Sequence, residues 1–330
     1  MSSQHKLDED SSWRTIVFIS FFTPLQVFSV VLRFYARSLT KRPYDLADLL
    51  VIIALITQLI ATGIYIGGVV QAGVGYHIDY LAETKPEKIT LFFKYLVAFS
   101  VWYFSTITIT KLAICKLYLT LFPKRIISVI LYITVSILIV TPIATTISLL
   151  AACRPFSANW ASSQVQSAHC LNKEAIFVLG SIPNIVTDVV LLAVPLPVIW
   201  GLEVTTKVKL ALSFTFAVGS FGLVASILRF VSFINTNSFT DATYNAAELI
   251  IWALVEPGVY LISASLLMYK PLLDKATMAN FPGIKWLLSF RRFTTPEPHA
   301  ASYSGDFDPS KDDGGRSIAL KNRGMHSGYP

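Results

Sequence analysis

Seven long apolar runs, separated by short polar stretches, are the feature that most constrains how this chain can fold. Each run has about 19–26 residues, enough for a helix to cross the roughly 30 Å hydrocarbon core of a bilayer. In that core every backbone N–H and C=O needs an internal partner, which a helix provides. We therefore predict an all-α membrane protein, a bundle of seven transmembrane helices, with spans near 15–33, 48–70, 95–119, 126–151, 176–200, 210–233 and 249–269.

The composition excludes an ordinary soluble domain. Hydrophobic residues make up 54% of the 330 residues and charged residues 14%, whereas soluble domains have about 25% charged residues. A bilayer accommodates this apolar excess, so lipid is the first partner that the sequence predicts. The net charge of +7 does not indicate nucleic-acid binding, because the basic residues lie in short loops and in the tail, without interleaved aromatic residues.

The distribution of basic residues predicts the orientation of the bundle, because cytoplasmic loops are enriched in Lys and Arg. The loops after spans one, three and five carry nine basic residues, and the alternate loops carry four. The nine are Arg33, Arg37, Lys41, Arg42, Lys116, Lys124, Arg125, Lys207 and Lys209; the four are Lys85, Lys88, Arg154 and Lys173. We expect the N-terminus outside and the C-terminus in the cytoplasm, in the plasma membrane or another membrane of the secretory pathway.

Three regions follow from this topology. Residues 1–14 are polar and acidic, without a basic start or a small-residue cleavage site, so we expect a short extracellular tail and no cleaved signal peptide. Residues 15–273 form the transmembrane domain. Residues 274–330 become rich in Pro, Ser, Gly and charge, which predicts a cytoplasmic and largely disordered tail.

The cysteines and His77 indicate structure more than chemistry. Cys153 and Cys170 lie in one predicted outer loop, where thiols oxidise, so we expect a disulfide between them. Cys115 lies within span three and is most simply a buried apolar residue. His77, just outside span two, is more typical of a loop residue than of a metal ligand. No His, Cys or acidic cluster has metal-ligand spacing, so we predict no metal.

Four ionisable side chains fall inside predicted spans, where a charge is costly and usually faces a partner or a water-filled cavity. They are Lys111, Asp188, Arg229 and Glu256. The helical rise places Lys111 and Asp188 at depths that a lysine side chain bridges, and it places Arg229 and Glu256 at similar depths on consecutive helices. Asn184 shares a helix face with Asp188. We therefore predict two buried ion pairs, Lys111–Asp188 and Arg229–Glu256.

Two interpretations of these polar residues stay open. The pairs either fix which helices pack together, or they belong to a ligand site or a proton path. Under the second interpretation the binding residues are Lys111, Asn184, Asp188, Arg229 and Glu256. The chain has no His-box, no paired aspartates with metal spacing and no nucleophile elbow, so we predict no catalytic residue and no cofactor. That lowers the expectation of an enzyme, although dispersed residues can also catalyse reactions in membranes.

A series of short motifs runs through the membrane region in a distinctive order and spacing. It comprises Arg33, Tyr35, Arg37 and Asp48; Gly73, Gly75 and His77; Lys111 and Tyr118; Cys153, Pro155, Trp160 and Cys170; Pro183, Asn184 and Asp188; Pro195, Pro197 and Trp200; and Gly219, Arg229, Asp241, Trp252 and Glu256. This series resembles the fungal rhodopsin-like integral membrane family, which includes a satratoxin-cluster membrane protein and fungus-specific receptor-like proteins. The resemblance extends over essentially the whole transmembrane domain.

The resemblance implies two main roles. The first is a receptor-like sensor without retinal or a catalytic site, which binds a ligand in the outer half of the bundle and signals through the inner loops. The second is an accessory protein or enzyme of a fungal secondary-metabolite pathway that acts on a lipophilic intermediate. A transporter is the weakest alternative, because no internal repeat is evident. A lipophilic small molecule is the ligand expected, and no cytoplasmic protein partner is identified.

The family name does not imply a chromophore in this chain. A retinal Schiff base needs a lysine in the seventh span, and residues 249–269 contain none. Animal-receptor signatures are also missing, since span three ends in LTLFPKR and span seven in LLMYKPLL. Seven helices therefore predict neither a retinal protein nor a typical G-protein-coupled receptor.

Overall fold

The computed structural model of the protein describes residues 10–39, 43–122, 124–161, 163–197, 206–235 and 241–269. Seven helices in this part of the chain are long and apolar enough to cross a membrane, which confirms the predicted seven-span bundle. No β-strand occurs among the described residues, and the predicted tail 274–330 lies outside them. We label the seven helices α1 to α7 in chain order: Ser12–Ser38, Leu46–Ala72, Pro86–Leu121, Arg125–Leu150, Lys173–Ala193, Thr206–Asn235 and Ala242–Leu266.

Three helix boundaries differ clearly from the predicted spans. α3 begins at Pro86 and α7 at Ala242, instead of residues 95 and 249, because polar and charged residues such as Glu87 lower the hydropathy of the first turns. Proline suits the start of α3, since the N–H it lacks would have no helical partner there. α5 ends at Ala193 instead of residue 200. Pro195 explains this end, because proline has no backbone N–H to donate to the carbonyl one turn back.

The helices follow one another around a closed ring, and α3 and α7 also contact each other across its middle. In their most apolar stretches, 67% of the residues of α7 and 56% of those of α3 are buried, against 22% for α4. α3 and α7 therefore form the centre of the bundle. The outer helices expose large apolar side chains such as Phe21, Phe28, Ile126 and Val140, which a bilayer would cover.

One end of the bundle carries the Cys153–Cys170 disulfide, and the predicted pairing is thereby confirmed. The α4–α5 link that contains it also forms a 3₁₀-helix, Phe156–Trp160, and a short helix, Ser163–His169. The α2–α3 link, with the short helix Ile78–Thr84, and the start of α7 lie at the same end. We call this the disulfide end and the other the opposite end.

The α2–α3 link is tied to the start of α7 at the disulfide end. His77 Nδ1 lies 2.5 Å from Asp241 Oδ2, and the imidazole stacks on the Tyr244 ring with centroids 4.2 Å apart. Gly75 donates its backbone N–H to a carbonyl of α7 and has a φ of +99°, which favours glycine. A Cβ at Gly75 would also collide with the backbone of Ser12. His77 thus belongs to a contact between helix ends.

Candidate functional site

The five predicted polar residues lie inside the bundle on four different helices. Lys111 belongs to α3, Asn184 and Asp188 to α5, Arg229 to α6 and Glu256 to α7. Lys111, Asp188 and Glu256 are fully buried, whereas Arg229 is 9% exposed and Asn184 is 7% exposed. Because α3 and α7 form the centre of the ring, polar faces of α5 and α6 that turn inwards meet them there. The structure therefore brings all five residues together.

The first predicted ion pair is confirmed, since Lys111 Nζ lies 2.7 Å from Asp188 Oδ1. The ammonium also faces the side-chain and backbone oxygens of Asn184, at 2.7 and 2.9 Å, and the Thr187 hydroxyl at 3.2 Å. Tyr260 donates its hydroxyl to the same oxygen of Asp188 at 2.5 Å. Oxygen atoms of α5 therefore surround the Lys111 charge, while α3 and α7 share the Asp188 carboxylate.

The second predicted pair is also confirmed, with Arg229 Nε 3.3 Å from Glu256 Oε2. Glu256 accepts two shorter hydrogen bonds, from the Tyr103 hydroxyl at 2.6 Å and from Asn184 Nδ2 at 2.5 Å. The guanidinium lies over the Tyr103 ring, 4.5 Å from its centroid, in a cation–π contact. Two neutral donors thus bind Glu256 closely, and Arg229 contributes one longer N–H contact.

Asn184 joins the two ion pairs into one network. Its Oδ1 accepts a hydrogen bond from Lys111, while its Nδ2 donates to Glu256 and more weakly to Tyr103, at 3.3 Å. These neighbours determine the amide orientation, because the reversed amide would place an NH₂ group against the ammonium. The network connects α3, α5, α6 and α7, and its two cations balance its two anions.

Three members of this network were missed by sequence reasoning: Tyr103, Thr187 and Tyr260. Neutral hydroxyl groups are common in membrane helices, so they do not mark a site as buried charges do. Helical spacing is a signal that would have found two of them. Tyr103 lies about two turns before Lys111, and Tyr260 about one turn after Glu256, and such positions share a helix face.

Two buried atoms of the network have no hydrogen-bond partner among the described residues: Asp188 Oδ2 and Arg229 Nη2. Buried polar atoms in proteins almost always have partners, and the exceptions often mark a site where another group binds. The two atoms differ in their surroundings. Asp188 is completely enclosed, whereas Arg229 also faces a cavity.

A cavity of about 100 Å³ lies beside Arg229, between the network and the disulfide end. α3 contributes mainly aromatic side chains to its wall, and α7 contributes one helix face that includes three alanines. Of the described residues that line the cavity, Arg229 alone is charged. The other lining residues are Tyr65, Phe92, Leu96, Phe99, Ser100, Tyr103, Phe104, Phe177, Ala242, Ala246, Leu249, Ile250 and Ala253. An apolar space with a few polar groups at one end is typical of small-molecule sites.

A second buried ionic cluster, at the opposite end, corrects the predicted end of the first span. Arg33 and Arg37 were expected in the following loop, but α1 continues to Ser38 and buries Arg33 completely. Asp48 of α2 lies 2.9 Å from Arg33 Nη2 and 2.5 Å from Arg37 Nη1, and Arg33 also donates to the Ala264 carbonyl. A neighbouring carboxylate lets the helix continue through both arginines. Other basic residues counted with loops also lie within helices: Lys88, Lys116, Arg125, Lys173, Lys207 and Lys209.

Similarity to known proteins covers most of the chain. Residues 32–275 match the fungal rhodopsin domain. The polyenoic acids biosynthesis gene cluster protein Ba17b of Metarhizium anisopliae is 50% identical over 292 residues, which cover 86% of this chain and 80% of that protein. A SAT4 family membrane protein of Emericella nidulans is 29% identical over 177 residues, which cover 52% of this chain and 45% of that protein.

A shorter match, 26% identical over 104 residues, is to the fugralins biosynthesis cluster protein 2 of Gibberella zeae, and it covers 32% of this chain and 26% of that protein. No solved structure matches the chain. The domain match includes every member of the buried network, from Tyr103 to Tyr260. On this evidence the chain belongs to the fungal rhodopsin-like family of integral membrane proteins.

Proposed function

We propose that this protein is a membrane-embedded accessory protein of a fungal secondary-metabolite pathway, and that it binds a lipophilic pathway molecule in the cavity beside Arg229. The observation that carries the proposal is an apolar cavity with one cationic end inside a bundle of membrane-spanning helices. Two relatives, from M. anisopliae and G. zeae, are named as proteins of biosynthesis clusters, which supports the same role for this chain.

The walls of the cavity suit a lipophilic molecule better than a polar one. Aromatic and aliphatic side chains form nearly all of the lining, and burying apolar ligand surface against them contributes about 25 cal/mol per Å². A polar molecule would lose its hydration there and find few hydrogen-bond partners. We propose binding instead of bond-making, because the four buried charges already neutralise one another in pairs.

The proposal includes the orientation in which the disulfide end faces outside and the N-terminus lies on the same side. The excess of Lys and Arg at the opposite end supports it through the positive-inside rule. The Cys153–Cys170 disulfide also supports it, since disulfides persist in oxidising compartments. In this orientation the cavity lies in the outer half of the bundle.

A receptor-like sensor is the second candidate function, and one observation favours it. Hydrogen bonds through Asn184 connect Glu256, the ion-pair partner of Arg229 at the cavity, to Lys111. Lys111 lies about two turns of α3 further from the disulfide end than Tyr103. A ligand that moves the guanidinium would disturb Glu256 and, through Asn184, the Lys111 pair. Such a link between a binding site and distant helix contacts is what a sensor requires.

Metabolite profiling with cavity variants tests the proposed function. A strain that lacks the gene is complemented with the wild type, with Ala246→Phe, or with Ala144→Phe. Ala246→Phe places a ring of roughly the volume of the cavity on its α7 wall, whereas Ala144 is exposed on the lipid-facing side of α4. We expect deletion and Ala246→Phe to change the level of a lipophilic metabolite, and Ala144→Phe to restore the wild-type profile.

The protein level of each phenylalanine variant and the folding of the detergent-solubilised protein are measured, so that a loss of function is separated from a loss of protein. An unchanged profile in the deletion strain would contradict the accessory role. If the profile is unchanged but the transcriptional response to an added metabolite is lost, the sensor is favoured instead. If Asp188→Asn causes accumulation of a precursor without affecting ligand binding, a catalytic role replaces the binding role.

A further inference from the structure

The guanidinium of Arg229 is used along only one of its edges. Nε contacts Glu256 at 3.3 Å, and the face of the group lies on the Tyr103 ring. Nη2 is buried and has no hydrogen-bond partner among the described residues. An arginine carries five N–H donors in a rigid fork, and neither Nη1 nor Nη2 makes a hydrogen bond to a described residue. The Nη1–Nη2 edge is a preformed donor pair inside the protein.

Glu256 does not require this second edge. The Tyr103 hydroxyl and Asn184 Nδ2 donate to its two carboxylate oxygens, at 2.6 and 2.5 Å. The carboxylate is therefore already hydrogen-bonded from α3 and α5 in addition to its contact with Nε. Because each oxygen of Glu256 has a short donor of its own, the remaining N–H groups of Arg229 are available to a second acceptor.

A second polar group faces the same cavity. Tyr65 of α2 lines it together with Arg229, and its hydroxyl makes no hydrogen bond to another described residue. The cavity therefore combines a cationic fork and a tyrosine hydroxyl with a mainly apolar lining, in which Ser100 and Tyr103 are the other polar side chains.

We propose that this cavity binds the carboxylate of a long-chain lipophilic acid, with the Nη1–Nη2 edge of Arg229 and the Tyr65 hydroxyl as its donors. The inference rests on the proposed function, since it names the chemical class of the molecule that the cavity binds. A carboxylate matches the fork in a bidentate arrangement, which an alcohol or an ester cannot reproduce. No acidic side chain lines the cavity to repel it among the described residues.

The lining of the cavity suits the apolar chain behind the carboxylate. Aromatic rings from α2, α3 and α5 line it together with three alanines of α7. Its volume of about 100 Å³ is smaller than the roughly 150 Å³ that accommodates benzene in an engineered cavity. The head of the acid fits with little change, and the rest of the chain requires side-chain rotations.

Binding to the full-length protein in nanodiscs tests this proposal. The probes are a long-chain conjugated tetraenoic acid, which is fluorescent in apolar surroundings, and its methyl ester, which has the same chain. Empty nanodiscs provide the partition background for both probes. We expect the acid to bind at least tenfold more tightly than the ester, since hydrogen bonds to charged groups contribute about that factor.

Three variants and one control variant separate the head group from the cavity. Tyr65→Phe removes one hydroxyl and should weaken acid binding about tenfold without affecting the ester, whereas Tyr132→Phe, on the exposed side of α4, should change neither. Arg229→Gln/Glu256→Gln removes both charges together, so that no unpaired charge remains buried, and should abolish the preference for the acid. Ala246→Phe should abolish binding of both probes.

The outcomes distinguish the proposed carboxylate site from the proposed ligand-binding cavity. If acid and ester bind equally and both are lost in Ala246→Phe, the carboxylate site is wrong and the proposed ligand-binding cavity stands. If the acid is preferred but Tyr65→Phe and the double glutamine variant bind it as the wild type does, the carboxylate binds elsewhere and the proposal is overturned. If neither probe binds above the empty-nanodisc background, both the carboxylate site and the lipophilic cavity are contradicted.

Discussion

Removing the charge of Lys111 alone should destabilise the bundle almost as much as removing the charges of both Lys111 and Asp188. Lys111→Met keeps the length and the apolar part of the side chain, but it leaves the fully buried Asp188 carboxylate without its cation. Asp188→Asn has the converse effect and leaves the ammonium with neutral oxygens of α5 only. The double variant leaves no unpaired charge, and Tyr260 can still donate to the amide oxygen that replaces the carboxylate.

The expected magnitudes follow from the burial of both groups. Breaking a buried ion pair by removing one partner costs about 3–5 kcal/mol. We expect about 4 kcal/mol for Lys111→Met, which also loses three hydrogen bonds to α5, and about 3 kcal/mol for Asp188→Asn. The double variant should cost about 4 kcal/mol instead of the sum of about 7, which gives a coupling energy of about 3 kcal/mol.

Equilibrium unfolding in mixed micelles, driven by a denaturing detergent and followed by tryptophan fluorescence, measures these free energies. Lys116→Met is the matched control, because Lys116 lies on the same helix and is only partly buried; it should stay within about 0.5 kcal/mol of the wild type. A coupling energy below about 0.5 kcal/mol, with additive single variants, would refute the view that this pair stabilises the bundle.

Three further predictions concern the two ends of the bundle. Asp48→Asn should cost about 3–5 kcal/mol in the same unfolding assay, because it leaves Arg33 and Arg37 without their shared carboxylate; wild-type stability would show that other groups neutralise them. Cys153→Ser should lower the free energy of unfolding by about 3 kcal/mol, as expected for a closed loop of this length, and reduction of the wild type should match it; stability equal to that of the oxidised wild type contradicts this. Gly75→Ala should cost about 1–3 kcal/mol, since φ is +99° and the added Cβ meets the backbone of α1; a thermal melt identical to that of the wild type would argue against strain there.

The number of helices was predictable because the bilayer imposes a length on each apolar run. The ends of the helices were less predictable, since hydropathy is averaged over a window of residues and does not detect an ion-pair partner on another helix. Arg33 illustrates this: the charge ends the apolar run in the sequence, yet Asp48 and a carbonyl of α7 neutralise and bind it inside the bundle. Pro195 was visible, but the window extended the fifth span through it. Charges near helix ends are therefore poor boundary markers when a partner helix supplies the opposite charge.

The two ion pairs were predictable because an unpaired charge is so costly in hydrocarbon that its partner must lie at a similar depth. The hydrogen-bonded link between the two pairs through Asn184 was not predictable, because an amide at the right depth can point to several neighbours. The cavity was invisible for another reason. Its lining consists mostly of ordinary apolar residues from several helices, such as Phe99 and Ala246, and the sequence does not show that their packing leaves a space.

The two pairs differ in their surroundings, which bears on the two interpretations that the sequence left open. Each pair has one buried atom without a hydrogen-bond partner among the described residues, Asp188 Oδ2 in one and Arg229 Nη2 in the other, but only Arg229 lines a cavity. Lys111 is enclosed, with an Asp188 oxygen at 2.7 Å and three further oxygens around the ammonium. Arg229 is not: one N–H reaches Glu256 at 3.3 Å, and Nη2 is left without a partner among the described residues, beside a cavity. This difference fits a structural role for the Lys111 pair and the binding role that we propose for Arg229. Asn184 connects the two pairs, because it donates to Glu256 and accepts from Lys111.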